Sequence, residues 1–236
     1  MEVIEKQISL NEIFVMGLDE VGRGPLAGSV VSCCFAFKGN KEDLLRLISH
    51  TSELGVTDSK KLSSAKRLKI LSSLNIDVKN LEFNKVYKVK TQILDLPDLT
   101  NNLYFCLSEV DHREIDKINI LQASLRSMDL SFFGLSKNFK NCEPDFVWVD
   151  GNKLPKGVGE SGKAEAIVKG DSKSFIIALA SIVAKEKRDF MMKELSQMYP
   201  GYGFEKHAGY PTKFHKEAIK RLGPCPIHRL SFKGVL

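Results

Sequence analysis

Two adjacent acidic residues, Asp19 and Glu20, follow an apolar run at residues 13–16 that is typical of a β-strand. Directly after them comes the turn sequence Gly-Arg-Gly-Pro at 22–25, which places one cation between two glycines. Paired carboxylates at the end of a strand can be ordinary strand-to-turn residues. They can also form one end of a catalytic site, and the remaining acidic residues help to decide between these interpretations.

Two further acids stand at the ends of predicted strands. Asp150 closes the apolar stretch 145–150, and Asp171 closes the stretch 164–171. Sites in open α/β sheets form at the ends of strands, where the loops diverge, so we expect these two acids to converge with the first pair. Each acid alone has a structural explanation, and Asp171 in particular could cap the helix that follows it.

A group of four carboxylates would repel one another, and some would stay protonated unless a cation neutralised them. Carboxylate oxygens are hard ligands that suit Mg²⁺ or Mn²⁺, and Mg²⁺ retains water and substrate phosphate oxygens in its shell. Two such ions about 4 Å apart stabilise the attacking and leaving oxygens of an in-line phosphoryl displacement. The four acids together therefore predict metal-dependent phosphodiester chemistry.

The glycines around Arg23 permit a ligand to approach the backbone closely, and the arginine itself can meet a phosphate. The pattern differs from the dinucleotide fingerprint G-x-G-x-x-G, because Gly28 comes one residue late and no helical pattern follows. The sequence also lacks a G-x-x-x-x-G-K-[ST] phosphate loop. These differences argue against a dinucleotide-binding fold.

The chain has 236 residues, 43% hydrophobic and 27% charged, a balance typical of a globular protein with a sizeable core. Its formal net charge of +6 permits a polyanionic partner. The five cysteines lack C-x-x-C spacing, which argues against a disulfide framework or a cysteine-rich zinc site. We find no apolar run of the ~18–20 residues that span a membrane and no secretory signal pattern, so we expect a cytoplasmic protein with no membrane partner.

Strand and helix patterns alternate along the chain. β-branched and aromatic runs predict strands at 13–19, 28–37, 81–89, 145–150 and 164–171, whereas residues 90–108 show no clear period. Apolar residues at helical spacing predict helices within 57–74, at 110–130, from about 175 to 198 with a buried first half, and a short one ending at 222. Interleaved strands and helices predict the α/β class with a mixed sheet.

Six sequence blocks, taken in order, make the pattern specific. They read GLDEVGRGPLAGSVV, TDSKKLS, REIDKINILQASLRSM, VDGN, VKGDSKSFIIALASIVAKEKRD and YPGYGFEKHAGYPTKFH. Together they closely resemble ribonuclease HII, the type 2 ribonuclease H of bacteria. The resemblance implies a ribonuclease H-like fold, with a mixed five-stranded sheet flanked by helices and a C-terminal helical extension. It implies one domain over 1–236, with a catalytic core at about 10–195 and a substrate-binding extension at about 196–236.

The resemblance also implies an activity and a set of site residues. Family members hydrolyse the RNA strand of RNA/DNA hybrids and nick DNA 5′ of an embedded ribonucleotide, leaving 3′-hydroxyl and 5′-phosphate ends, in ribonucleotide excision repair and RNA primer removal. The implied catalytic residues, which are also ligands for two Mg²⁺ or Mn²⁺ ions, are Asp19, Glu20, Asp150 and Asp171. The implied substrate-binding residues are Gly22, Arg23 and Gly24, which read the ribose 2′-hydroxyl, Tyr210, which stacks on the sugar, and Lys60, Lys169 and Lys185.

Several alternatives stay open at this point. The chain could be a related nuclease of the same fold, such as a resolvase or integrase, or a hybrid-binding module without catalysis. Tyr210 could simply be an aromatic residue that covers the core at a Gly-Pro turn. The chain departs from the family pattern in longer segments at about 75–108 and 153–162. The expected partners are RNA/DNA hybrids and DNA containing ribonucleotides. No protein partner is evident, and we expect a monomer.

Overall fold

The computed structural model describes residues 3–52, 55–56, 59–89, 102–140 and 142–236. The strands in these residues are β1 Glu12–Val21, β2 Val30–Asn40, β3 Val86–Lys88, β4 Leu103–Val110, β5 Phe146–Asp150 and β6 Ala164–Ile167. They form one sheet in the order β3-β4-β2-β1-β5-β6. The pairs β1–β5 and β5–β6 are parallel and the other pairs are antiparallel. The α/β class with a mixed sheet is therefore confirmed.

The sheet has six strands, so the expected number of five is wrong. The additional strand, β4, lies where the sequence pattern predicted no regular structure up to residue 108 and a helix from 110. It pairs with β2 from Leu103 to Val110 and is largely buried on both faces, so it lacks the alternation of a half-exposed strand. Residues 90–101 of the same segment lie outside the described residues.

Helices cover both faces of the sheet. Those in the described residues are α1 Lys41–Ser52, α2 Ser64–Ser73, α3 His112–Ser136, α4 Lys156–Gly159, α5 Phe175–Met198, α6 Phe204–His207 and α7 Lys213–Leu222. Alternate residues of β1 belong to different cores, because successive side chains of a strand point to opposite faces. Met16 and Leu18 pack in a core with Met128 of α3, whereas Val15 packs in a core with Ile176 of α5.

The first half of α5 is apolar and buried, as its sequence predicts. It begins after Ser174, whose side chain accepts the N–H of Ile177, so Ser174 is the cap and the alternative of a cap at Asp171 is wrong. The helix start lies against β1 at Gly17, where a Cβ atom would stand 2.7 Å from the backbone nitrogen of Ile177. This close approach brings the following turns of α5 to the end of β1.

The segment after α5 returns to the loop between β1 and β2. Residues of α6 and α7 share a core with Leu26 and Ala27 of that loop, and Ala27 forms an isolated β-bridge with His228. The longer segment at 153–162 contains α4, whose Val158 N–H donates to Asp129 of α3. No helix in the described part of the chain is long and apolar enough to cross a membrane.

Candidate active site

Asp19 and Asp150 lie near the carboxyl ends of two adjacent parallel strands. Leu18 of β1 is in register with Val149 of β5, so the two acids that follow these residues are neighbours across the sheet. Asp19 faces α5, where the Ser181 side chain lies close enough to favour its ionised form. The Ser181 hydroxyl in turn lies 2.8 Å from the hydroxyl of Ser59. The Ser181 hydroxyl beside Asp19 is thus held by a second segment of the chain.

Asp171 does not end a strand, in contrast to the prediction. β6 stops at Ile167, and Asp171 lies in a 3-10 turn, Gly170–Ser172, that leads into α5. The turn is fastened to β5, because the N–H of Gly170 donates to Asp150 Oδ1 at 2.6 Å. Asp171 is buried, and its charge is close enough to Asp19 to contribute to the pKa of that residue. The expected convergence of the acids is thus present, with a turn supplying the last of them.

Burial and the neighbouring negative charges hold Asp19 and Glu20 towards their protonated forms. The pKa of Asp19 is raised well above its ordinary value by burial first, and then by the charges of Glu20, Asp150 and Asp171. Burial also raises the pKa of Glu20 to about 7, although the Arg23 guanidinium works in the opposite direction. A bound cation would relieve both the burial cost and the repulsion.

The four acids fit a hard divalent cation in their chemistry, since all their donor atoms are carboxylate oxygens. The side chains do not yet form a ligand set, because no three His, Cys, Asp or Glu side chains among the described residues are arranged to hold a metal ion. Some oxygens are instead engaged by the protein: Asp19 Oδ1 accepts the N–H of Glu20 at 2.7 Å, and Asp150 Oδ1 accepts that of Gly170. Binding a metal ion would therefore require at least one acid to turn.

The loop between β1 and β2, residues 22–29, continues directly from the acids of β1. Gly22 has φ +103°, in the left-handed region that favours glycine, and a Cβ atom there would meet the Arg188 side chain. Arg23 Nη1 lies 3.4 Å from Glu20 Oε1, with about half of the arginine side chain exposed. We call residues 22–29 the β1–β2 loop.

Tyr210 lies beside this loop, on the segment between α6 and α7. Its backbone is held on both sides, because its N–H donates to the His207 carbonyl and its own carbonyl lies 3.0 Å from His215 Nδ1. The ring remains 38% exposed and faces Gly24. An aromatic ring that is partly open beside a glycine is available to a ligand, unlike one that only covers the core.

The structure places the three predicted lysines differently. Lys60, in the 3-10 turn Ser59–Lys61, lies at the cleft, whereas Asp58 of the same sequence block is outside the described residues. Lys185 also lies at the cleft, and its Nζ lies 2.5 and 2.7 Å from the two carboxylate oxygens of Asp189. Lys169 is exposed in the turn before Gly170 and is not among the residues that line the cleft.

One cleft of about 350 Å³ joins most of these groups. Its lining residues are Asp19, Glu20, Val21, Gly22, Arg23, Gly24, Lys60, Asp150, Lys185 and Tyr210. It combines acids at one end with a glycine loop, an aromatic ring and two lysines. That composition suits a phosphodiester next to a sugar.

A second cavity of about 220 Å³ adjoins the acids on the α3 side and shares Glu20, Arg23 and Asp150 with the first cleft. The sequence analysis did not identify its remaining lining residues, which are Leu121, Ser124, Leu125, Met128, Gly151, Asn152 and Lys153. The α3 residues were identified only as part of an amphipathic helix. The Ser124 hydroxyl is buried without a partner among the described residues, a feature that sequence patterns do not reveal.

Comparisons with known proteins identify the family of this chain. The sequence model of the ribonuclease HII family matches residues 16–235. Ribonuclease HII from Ruegeria pomeroyi is 40% identical over 223 residues, which are 94% of this chain and 77% of that protein. Ribonuclease H2 from Pyrococcus horikoshii OT3 has a similar crystal structure, with a TM-score of 0.64, 25% identity, and coverage of 94% of this chain and 95% of that one.

A further solved structure, the PCNA:RNase HII complex from Archaeoglobus fulgidus, has a chain with the same fold, with a TM-score of 0.63 and 21% identity. The match covers 94% of this chain and 96% of that one. The family match extends over nearly the whole chain and includes every site residue named above. The chain therefore belongs to the ribonuclease HII family, metal-dependent endoribonucleases that act on RNA/DNA hybrids.

Proposed function

We propose that this protein, beyond cutting the RNA strand of hybrids, nicks duplex DNA on the 5′ side of a single embedded ribonucleotide. The products would carry 3′-hydroxyl and 5′-phosphate ends, as ribonucleotide excision repair and RNA primer removal require. The observation that supports this is the cleft itself, in which Asp19 and Asp150 share one space with Gly24 and Tyr210. One ribose can thus be recognised next to the phosphodiester that is cleaved.

Selectivity would come from the β1–β2 loop and Tyr210. The 2′-hydroxyl is the group that distinguishes RNA from DNA at one position, so reading it requires polar backbone groups close to the sugar. Gly22 and Gly24 have no side chain to block that approach, and both line the cleft. The Tyr210 ring would stack on the sugar from the other side. A 2′-deoxy sugar would leave the backbone groups without their partner.

The acids would supply the catalytic end of the cleft. Asp19, Glu20, Asp150 and Asp171 would hold two Mg²⁺ or Mn²⁺ ions, which supply activation of water and stabilisation of the leaving 3′-oxygen when bound. Ser181 lies beside Asp19 and favours its ionised form. Arg23 lies next to Glu20 and favours its ionised form, which is the form that binds a cation.

The duplex backbone would lie along the basic side of the cleft. A neighbouring groove of about 390 Å³ shares Lys185 and Tyr210 with the cleft and is also lined by Lys193 and Lys206. Lysines along such a path bind phosphates without reading sequence, and their contribution depends on salt. Because α6 and its neighbours build this groove, we infer that residues after about 196 form a substrate-binding extension of a single domain.

The test is a cleavage assay on two duplexes that differ by one 2′-hydroxyl, with Mg²⁺ and Mn²⁺ varied. We expect a single nick 5′ of the ribonucleotide and no cutting of the all-DNA duplex. Asp171→Asn should abolish cleavage and leave hybrid binding largely intact, whereas Glu165→Gln, at an exposed acid on β6, should cut normally.

Three outcomes would contradict the proposal. Equal cutting of both duplexes would favour a resolvase-like nuclease, and binding without turnover in either metal would favour a non-catalytic hybrid-binding module. Full activity of Asp171→Asn in Mg²⁺ would remove Asp171 from the catalytic set. The oligomeric state, which we propose to be monomeric, is checked by sedimentation with and without the duplex.

A further inference from the structure

Two arginines, Arg188 and Arg229, are fully buried beside the β1–β2 loop. Neither has an ion-pair partner among the residues that the structure describes. Burial lowers the pKa of Arg188 to about 10 and that of Arg229 to about 9, so both remain charged at neutral pH. Burying a cation without an acid is costly unless its N–H groups are fully bonded. The acceptors of those N–H groups therefore decide how the two buried charges are stabilised.

Arg229 donates only to carbonyl oxygens of the β1–β2 loop in the described structure. Its Nη2 lies 2.6 Å from the carbonyl of Gly22, and its Nε lies 2.9 Å from that of Gly28. Its Nη1 is shared between the carbonyls of Arg23, at 3.1 Å, and Pro25, at 2.9 Å. One planar guanidinium thus binds four carbonyls of a single loop, a geometry that lysine cannot reproduce.

Arg188, on α5, connects the same loop to the segment of Tyr210. Its Nε and Nη2 donate to the carbonyls of Ser29 and Ala27 at 3.0 and 3.1 Å, and its Nη1 donates to that of Ala208 at 2.9 Å. The N–H of Leu26 adds a direct bond to the Gly209 carbonyl at 2.8 Å. The distance between the loop and the tyrosine segment is therefore set by the hydrogen bonds of Arg188 together with this direct backbone bond.

The carbonyl directions determine where the loop N–H groups point. In a trans peptide the C=O and the following N–H point in opposite directions, and the described chain contains no cis peptide. The Gly22 and Arg23 carbonyls point inward to Arg229, so the N–H groups of Arg23 and Gly24 point outward. Gly22, Arg23 and Gly24 line the cleft on that side, and neither N–H has a backbone acceptor in the described part of the chain.

We propose that Arg229 and Arg188 are positioning residues for ribose recognition. Arg229 orients the N–H groups of Arg23 and Gly24 into the cleft as donors for the 2′-oxygen, and Arg188 holds Tyr210 at the matching distance. The inference rests on the proposed reading of the 2′-hydroxyl. It assigns the geometry of that reading to two cations that never touch the substrate.

The test measures binding in an Asp171→Asn background, so that no cutting occurs. A duplex with one ribonucleotide and an all-DNA duplex are each titrated against the parent and against Arg229→Lys. This variant keeps the positive charge but loses the planar guanidinium. We expect the parent to prefer the ribonucleotide, and Arg229→Lys to bring the ratio of the two affinities close to one. Affinity for the all-DNA duplex should stay within about twofold, because phosphate contacts position the duplex and do not depend on this loop.

Two controls separate positioning from general loss of structure. Arg126→Lys changes an exposed arginine that pairs with Glu114, and Leu135→Ala lowers stability in the core between α3 and the sheet. Both should keep the parental ratio, Leu135→Ala despite a lower Tm. If Arg229→Lys does not fold, the same measurement is made on Arg188→Lys, which loses the guanidinium contact to the Tyr210 segment.

The outcomes distinguish a failure of the positioning role from a failure of the proposed ribose recognition. A parent without any preference for the ribonucleotide contradicts the proposed function itself. A parent with a preference that a folded Arg229→Lys or Arg188→Lys retains in full contradicts only the positioning role.

Discussion

The Tyr210 ring lies directly over Gly24: a Cβ atom on Gly24 would stand 3.4 Å from Cε1 of the tyrosine. This distance is an ordinary van der Waals contact, and the backbone of Gly24 is not in the left-handed region. An alanine therefore fits the unliganded protein, but it fills the space that we assign to the ribose.

Gly24→Ala should fold with a near-parental Tm and lose activity on a single ribonucleotide. We expect kcat/KM to fall about ten- to hundredfold, equivalent to about 1.4–2.8 kcal/mol. Gly22→Ala provides a contrast, since its Cβ would lie 2.3 Å from Arg188 Nε and the residue has positive φ. That variant should lower Tm as well as activity. A fully active Gly24→Ala enzyme would show that the ribose does not enter this space.

Glu20→Gln should stabilise the metal-free protein at alkaline pH. The pKa of Glu20 in the folded protein is about 7, above its ordinary 4.5, so the folded state holds its proton more tightly than the unfolded state does. The carboxylate therefore costs stability that grows as the pH rises from about 4.5 to about 7 and is then constant. Glutamine removes that cost.

Thermal unfolding in EDTA measures this effect. The Tm of Glu20→Gln should exceed that of the parent at pH 8 and match it at pH 4. Saturating Mg²⁺ should reduce or reverse the difference at pH 8, because only the parent gains the full metal stabilisation. A lower Tm for the variant at pH 8 in EDTA would mean that the folded protein favours the charged carboxylate.

Arg67→Ala should destabilise the protein strongly. Arg67 Nε lies 2.6 Å from Glu186 of α5, both side chains are buried, and Nη1 donates to the carbonyls of Ser59 and Leu62. Removing the arginine leaves Glu186 buried without its main partner, at a cost of about 3–5 kcal/mol and a fall in Tm of about 6–20 °C. Lys85→Ala, which breaks the exposed pair with Glu82, should leave Tm unchanged. Equal Tm values for the two variants would contradict this account.

Lys60→Ala should weaken duplex binding without changing selectivity. The residue is exposed at the cleft edge, where a phosphate contact would be independent of the sugar. The slope of log K against log salt should become shallower by about one phosphate contact, for ribonucleotide and all-DNA duplexes alike. Lys85→Ala serves again as the control. A change confined to the ribonucleotide duplex would instead assign Lys60 to sugar recognition.

Much of the site could be predicted because its residues carry local patterns. Acids after apolar strands, and glycines around one arginine, are visible in a single sequence, and the sheet register then brings Asp19 and Asp150 together. Asp171 lies near Asp19, as expected, but in a turn and not at the end of a strand. The apolar residues before it continue the strand pattern, whereas the turn at 170–172 is held by the Gly170–Asp150 bond, a tertiary contact.

Other features could not be predicted, because no pattern in the amino-acid sequence marks them. β4 is buried on both faces, so the period that identifies a strand is absent. The partners of Arg188 and Arg229 are backbone carbonyls, which every residue possesses and which leave no trace in the sequence. In the sequence the two arginines therefore contribute only to the net charge of +6.

The helix α5 carries both Ser181, which lies beside Asp19, and Arg188, which donates to the β1–β2 loop and to the Tyr210 segment. The two residues are seven positions apart, which is about 10.5 Å along a rigid helix. The helix thus sets the spacing between the loop to which we assign ribose recognition and the acids to which we assign cleavage. One inserted residue between these positions would rotate the two ends by about 100° relative to each other. We therefore expect the choice of the cleaved phosphodiester to depend on the geometry of this helix.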